Sequence, residues 1–497
     1  MNILKNKSFV KAVRITHRYL GLTLSFMFLV WCLSGFVMMY KEFPYIKERE
    51  KINNLTPINF KNISINPNQA WEFLPDNFKW VQLKLYNLID QPVYKFVNEN
   101  DSIILINAEV GGKVRNIDEK GVKEIVNNYT KGQYKIIKTE IITELDQWIP
   151  RTKFLPYLPM YKVYINDKSE TVFYVSSKSG EIIQKLNFSD KIWAWLGPIP
   201  HWLYFKDLRI NTNAWRAVVI AISFIGVLMC IGGLVLGIIR TINSKKKSDK
   251  LSPYKKRWFK WHHYLGFIFG LFILTWILSG LFSMNPLKWS SEDFLDKDEL
   301  RSWKGNQSFA PSNVTTNFNK LQKFGKLKEI ELNKINNSYY WLAKYNDLKT
   351  KIVFIQEPVS LPKNHLSLNE LKPGIKKLKE KDTITDITLL TDYDNYYYNK
   401  NRDLPLPVYL VKFSDKFKTW YYINPANATI VRKKQIDSRF ERWIYNGLHS
   451  LDFSFILYKR PLWDIVVLIL LIGCTMLSFT GLKLTINSIY KWYKRQT

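Results

Sequence analysis

Four stretches of the chain, residues 20–40, 217–239, 264–282 and 465–486, are almost entirely apolar. Each runs to about 20 residues, the helical length that crosses a hydrocarbon core of ~30 Å. A purely soluble enzyme is thereby excluded. The rest of the 497 residues is rich in Lys, Asn and aromatic side chains. At ~150 residues per unit, the whole length allows about three folding units.

Lys and Arg number 73 against 42 Asp and Glu, a formal net charge of +31. Such an excess would suit nucleic acid, but much of it lies where the positive-inside rule puts it. Lys5, Lys7, Lys11, Arg14 and Arg18 precede the first span. Arg240, Lys245, Lys246, Lys247, Lys250, Lys255, Lys256, Arg257 and Lys260 lie between the second and third, and Lys491, Lys494 and Arg495 follow the fourth. These short segments are expected in the cytoplasm beside membrane lipid, and no nucleic-acid partner is expected. The long connections, about 41–214 and 286–462, then face outside. The second is also basic, which either attracts anionic ligands or reflects a Lys-biased composition. The first span has too long an apolar core, and no A-x-A exit, for a cleavable signal peptide; it is expected to stay as an anchor.

Cys32, Cys230 and Cys474 all fall inside apolar stretches. They offer no disulfide framework, no CxxCH haem attachment and no zinc-type CxxC pair, and are read as packing residues. No GxGxxG loop or P-loop is present, so no nucleotide site is visible.

A search for internal repeats makes the chain more specific. Span one opens His17-Arg-Tyr19-Leu20-Gly21 and span three opens His262-His-Tyr264-Leu265-Gly266. At the same offset of 245 residues Trp31 matches Trp276, and Ser34-Gly35 matches Ser279-Gly280. At an offset of 248, Trp195 matches Trp443, His201 matches His449, Leu203 matches Leu451, Trp215 matches Trp463 and Gly233 matches Gly481. The chain reads as two copies of one unit: span, outer domain, span.

Of six histidines, four occupy equivalent positions in the two copies. Topology puts His17 and His262 at the inner ends of spans one and three, and His201 and His449 outside. A two-fold relation would bring each pair to a shared axis, one pair per membrane face. Two neutral imidazoles facing each other suit bis-histidine ligation of haem iron, an electron-transfer arrangement. Two pairs predict two haems, a wire across the bilayer. The competing readings are histidines that bond lipid headgroups, and a two-His metal site, which lacks evident carboxylate or Cys companions.

His263 has Arg18 in its matching place and is read as an interfacial neighbour, with the choice between His262 and His263 as ligand left open. His365 stands alone in a polar loop and is expected to be solvated. Trp31 and Trp276 lie ~21 Å along their helices from the histidines, either packing or serving as redox stepping stones. Ser34-Gly35 and Ser279-Gly280 permit close helix contact. Trp193, Trp195, Trp202, Tyr204 and Phe205 crowd His201 as an aromatic belt or the wall of an outer pocket. Arg14, Arg18, Arg257 and Lys260 are candidate contacts for inner propionates, although topology already accounts for them.

The long connections read as strands between turns: 92–97, 102–107, 162–165, 171–176, 407–413 and 420–424, with helices at 120–129 and 67–73, the latter capped by Asn66 with Pro67 at its first position. Small α+β modules are expected, without a Ser/His/Asp, Cys/His or paired-carboxylate constellation, so their chemistry is binding. The expected segments are 1–40 (N-terminus and first span), 41–192 (outer domain one), 193–240 (aromatic segment and second span), 241–261 (basic loop), 262–285 (third span), 286–440 (outer domain two) and 441–497 (outer histidine, fourth span and tail).

His-x-Tyr-Leu-Gly at a helix start, followed by Ser-Gly, resembles the PepSY-associated transmembrane proteins. The Pro-Val-Tyr strand with its Gly or Asn turn and Ile-Val is similar to PepSY modules themselves. The resemblance covers nearly the whole chain. It implies an integral membrane, α-helical four-span bundle with two extracytoplasmic α+β, PepSY-like domains and an internal two-fold repeat. Within the family the chain is most like the di-haem ferrisiderophore reductases of the bacterial inner membrane. That likeness implies two b-type haems with His17, His262, His201 and His449 as their ligands, cytoplasmic termini, two periplasmic domains, and reduction of ferric siderophore outside the membrane to release Fe(II). The chain ends about ten residues after its last span, so no fused flavin domain is expected; electrons would come from a cytoplasmic reductase or a membrane quinol. The alternatives are a non-redox PepSY protein that binds ligands or regulates a peptidase, and a haem or iron carrier.

Overall fold

The structure is a computed structural model that describes residues 6–248, 250–305, 321, 325–336, 338–355 and 362–496. Among the described residues four long helices are apolar enough to cross a membrane: α1 (Lys7–Met38), α2 (Thr212–Ser248), α3 (Arg257–Ser283) and α4 (Leu462–Tyr493). Each overruns its apolar stretch, because hydropathy marks the lipid-facing length and not the end of the hydrogen-bonded helix. In α1 the basic first turns are helical back to Asn6, whose side chain accepts from Ser8 N at 2.9 Å, a standard N-cap.

The helices close a ring in the order α1–α2–α3–α4, with α1 diagonal to α3 and α2 diagonal to α4. Phe28, Cys32, Met229, Cys230, Leu265, Ile273, Cys474 and Leu477 form its core. All three cysteines are buried there as free thiols. Large apolar side chains on the outer faces, among them Phe26, Phe267, Leu271 and Ile469, are exposed, which a bilayer solvates and water does not. Small residues set the spacing: a Cβ on Gly473 would lie 2.2 Å from Phe269 of α3.

The strands sit at the other end from the basic helix starts. β1 (Trp80–Leu88), β2 (Gln91–Asn98), β3 (Ile103–Asn107), β8 (Glu329–Ile335), β9 (Ser338–Lys344) and β10 (Thr350–Phe354) make one sheet, in the order β10-β9-β8-β1-β2-β3. β4 (Ile136–Ile142), β5 (Met160–Ile165), β6 (Val172–Ser176) and β7 (Ile182–Leu186) form a four-stranded meander. So do β11 (Ile384–Leu390), β12 (Val408–Phe413), β13 (Trp420–Asn424) and β14 (Thr429–Lys434). A helix precedes each meander, Glu119–Thr130 in the first and Leu368–Leu378 in the second. Asn66 caps Pro67–Glu72 through a reciprocal bond pair with Gln69, as the sequence predicts.

The two connections are less separate than expected at 41–192 and 286–440. β1 pairs with β8 antiparallel, Leu83 opposite Leu332 and Leu85 opposite Ile330, so one sheet takes three strands from each. The reason is physical: β1 would otherwise present an unpaired edge, and Leu83, Leu85, Phe96, Ile330, Leu332 and Trp341 bury one common core.

Candidate functional site

His17 and His262 meet across the diagonal of the bundle. His17 lies nearly three turns inside α1 and His262 about one and a half turns inside α3, their ring centroids 6.4 Å apart. His17 Nδ1 is 2.9 Å from the Met229 carbonyl oxygen. A carbonyl only accepts, so Nδ1 carries the proton and Nε2 keeps a bare lone pair. His262 Nδ1 is 3.0 Å from Thr480 Oγ1, which itself donates to Leu477 O at 2.7 Å. That hydroxyl proton is committed, so its oxygen accepts from Nδ1 and the same tautomer follows. Clearance for the rings comes from glycine: a Cβ on Gly233 would stand 2.7 Å from His17 Cε1, and one on Gly481 3.4 Å from His262 Cε1.

His201 and His449 meet at the opposite end, 6.1 Å between centroids. His201 is on the short helix Pro198–Trp202 that follows β7, and His449 on Leu448–Ser450, after the π-turn Trp443–Gly447. The same contacts recur. His201 Nδ1 is 3.0 Å from Ser34 Oγ, and His449 Nδ1 is 3.1 Å from Ser279 Oγ. Both serines donate to a tryptophan carbonyl one turn back, Trp31 and Trp276. Leu203 and Leu451 both adopt left-handed backbone beside the histidines, at φ 53° and 51°, and Trp215 and Trp463 both donate to carbonyls next to them, Trp202 and Ser450. Burial lowers both imidazoles, His201 to about 3 with His449 adding to the effect, so both stay neutral.

A metal–imidazole bond is about 2.0–2.1 Å and the nitrogen sits about 1.1 Å from its ring centre, so two rings on opposite sides of one ion stand about 6.3 Å apart. Both pairs match that spacing. Rotation about the bond changes the interplanar angle, 38° in one pair and 78° in the other, without changing the separation. From His17 to Ser34, and from His262 to Ser279, is 17 residues, or about 25 Å of helix. One pair therefore stands near each end of the bundle.

His263 points elsewhere. Its Nε2 is taken by Gly237 O at 3.1 Å and Thr241 Oγ1 at 3.2 Å, so His262 is the partner of His17. His365 is exposed in its loop. Arg14, Arg18, Arg257 and Lys260 are exposed at the basic end; Arg18 bonds Ser488 Oγ at 3.2 Å, and none of the four joins the hydrogen bonds of His17 or His262. Trp202 packs on Tyr204, 5.1 Å between centroids, in a cluster with Phe43, Ala194 and Ile199. Trp31 and Trp276 pack into the bundle core, and Trp31 Nε1 is buried without a hydrogen-bond partner among the described residues.

Sequence reasoning assigned Ser34 and Ser279 to helix packing and gave Thr480 no role. The pairing of Ser34 with Ser279, and of Gly233 with Gly481, was the available signal: residues that repeat alongside a repeated histidine serve that histidine.

No curated protein matches the chain. Residues 119–487 match the family model described as PepSY-associated TM region. The match takes in α2, α3, nearly all of α4 and most of the strands, and α1 lies outside it. It spans well over half of the sequence, and the chain is a member of the PepSY-associated transmembrane family.

Proposed function

We propose that this protein is a di-haem electron conduit of a bacterial inner membrane, which reduces ferric siderophore or another ferric chelate on the periplasmic side. The observation that carries the proposal is the pair of imidazole pairs, 6.4 and 6.1 Å apart, all four with Nδ1 engaged and Nε2 left as the ligand nitrogen. Orientation by the ring's other nitrogen is how proteins fix a metal-binding histidine. Among the described residues no three or more His, Cys, Asp or Glu converge, so each pair supplies two donors and a macrocycle the rest.

Haem held between two imidazoles would supply one-electron transfer. His17 and His262 would hold the inner group, His201 and His449 the outer. Ser34, Ser279, Thr480 and the Met229 carbonyl hold the rings and their protons in place. The basic helix starts face the cytoplasm by the positive-inside rule, with the donor a separate reductase or quinol. The strand-bearing end then faces the periplasm, where the ferric chelate takes one electron and Fe(III) becomes Fe(II). The repeated contacts of His201 and His449 support an internal two-fold relation between the halves.

The experiment is anaerobic reoxidation. Detergent-solubilised protein reduced by dithionite, freed of excess reductant and mixed with a ferric hydroxamate siderophore, should reoxidise and yield about one trapped Fe(II) per electron. Haem that stays reduced would contradict the assignment of the acceptor.

A further inference from the structure

Each meander ends in a short helix that leads to an outer histidine turn. Phe188–Leu196 follows β7, and Ile436–Arg442 follows β14 and is continued by the π-turn Trp443–Gly447. Along the first, Phe188, Ile192, Trp195 and Leu196 recur at i, i+4, i+7 and i+8, one face of a helix. At the offset of 248 residues the same four positions hold Ile436, Phe440, Trp443 and Ile444. A stripe of that spacing ordinarily turns toward a core. Here it turns away: the four residues of the first helix, with Ile436 and Phe440 of the second, are 41–58% exposed. The protein takes the other side of each helix. Ala194 is fully buried, in a cluster with Phe43, Ile199 and Tyr204. Asp437 accepts from Ser291 N at 2.9 Å, and Arg442 Nε donates to Asn395 O at 2.7 Å. Exposed apolar patches of this kind mark lipid or protein surfaces.

Both stripes lie where the spans leave the hydrocarbon. A Cβ on Gly197, the residue after Leu196, would stand 2.6 Å from Val37 Cγ1 in the last turn of α1. Phe440 packs on Trp289, ring centroids 6.3 Å apart, and Trp289 packs at 5.3 Å on Phe282, in the last turn of α3. The Lys41 ammonium lies 5.9 Å from the Trp193 ring centre, a base beside an aromatic ring as at a membrane–water interface. α1 and α3 are diagonal in the ring, so the two patches stand on opposite sides of the bundle. A second copy of the chain seated on one patch would leave its repeat bare. The bilayer that surrounds the spans reaches both.

We propose that these two helices are membrane-surface anchors, lying in the bilayer interface at the strand-bearing end with their exposed stripes among the lipid headgroups and upper acyl chains. Both histidine turns start from the anchored segments, His201 five residues after Leu196 and His449 five after Ile444. The lipid surface thereby sets the depth of the outer pair. The anchors stand without the electron-transfer reading and need no haem.

The test is nitroxide spin labelling of the full-length protein in nanodiscs of phosphatidylethanolamine and phosphatidylglycerol. Labels go on Ile192→Cys and Phe440→Cys, with Phe267→Cys on the outer face of α3 and Glu99→Cys in the turn between β2 and β3 as references. The three native thiols are buried, and the unaltered protein gives the labelling background. The ratio of collisions with dissolved oxygen to collisions with a water-soluble nickel chelate is expected to be several-fold higher at 192 and 440 than at 99, and nearer to the value at 267. A ratio equal to that at 99 would overturn the proposal by placing the stripes in water. Labels that neither reagent reaches would overturn it too, by assigning the stripes to a protein partner such as a second copy. Phe188→Cys and Ile436→Cys, on the same exposed faces, keep the test decisive if either first variant fails to fold.

Discussion

His201 Nδ1 lies 3.0 Å from Ser34 Oγ, and that hydroxyl is tied in turn to the Trp31 carbonyl at 3.1 Å. A helix backbone thereby sets the tautomer of an imidazole that belongs to a different segment, 167 residues away. Removing such an outer contact costs a metal site about 10- to 100-fold in affinity. Ser34→Ala and Ser279→Ala are therefore expected to weaken the outer haem alone by about tenfold or more. Haem titration of each variant, followed by absorption, checks this.

Glycine gives the inner pair its room. A Cβ at position 233 meets His17 at 2.7 Å and one at 481 meets His262 at 3.4 Å. Gly233→Ala should displace His17 and lose the inner haem, while Gly481→Ala should perturb its spectrum without loss. Alanine favours a helix over glycine by about 1 kcal/mol, so neither effect would come from a weakened helix. Haem stoichiometry beside circular dichroism separates the two effects.

The seam between the connections carries a buried charge cluster. Lys84 of β1 lies 3.2 Å from Glu329, and Lys344 of β9 lies 2.7 Å from Glu329 and 3.1 Å from Glu331. Removing one partner of a buried cluster leaves an uncompensated charge, at ~3–5 kcal/mol. Glu329→Ala should lower the unfolding free energy of the strand-bearing region by that amount, read by chemical denaturation.

The same cluster gives a pH dependence. Burial would raise Glu331, but the Lys84 and Lys344 ammonium groups overcome it and hold the carboxyl at about 2. Glu181 is held at about 2 in the same way, by Lys95 and Lys84 against burial. A carboxyl lowered on folding contributes stability that is full above its ordinary value of ~4.5 and is lost as pH falls toward 2. Thermal stability should fall as pH drops through that window, and Glu331→Gln should flatten the dependence.

The spans were legible because a run of about 20 apolar residues has few other uses. Strands with turn residues at both ends, such as β6 and β13, were legible for the same local reason. β1 and β8 were not joined in advance: their partners lie some 250 residues apart, and non-local pairing leaves no local pattern. The four histidines stood out because a repeat preserved them. The roles of Ser34 and Thr480 depend on where a hydroxyl points, which spacing does not encode.

The central claim is that each histidine pair holds one haem. The direct measurement is haem per chain, with reduced-minus-oxidised spectra, in the unaltered protein and in His17→Ala and His201→Ala. Two b-type haems, with the inner lost in the first variant and the outer in the second, is the predicted result. A protein without haem after haem-replete expression, or variants that keep both haems with unaltered spectra, would contradict it.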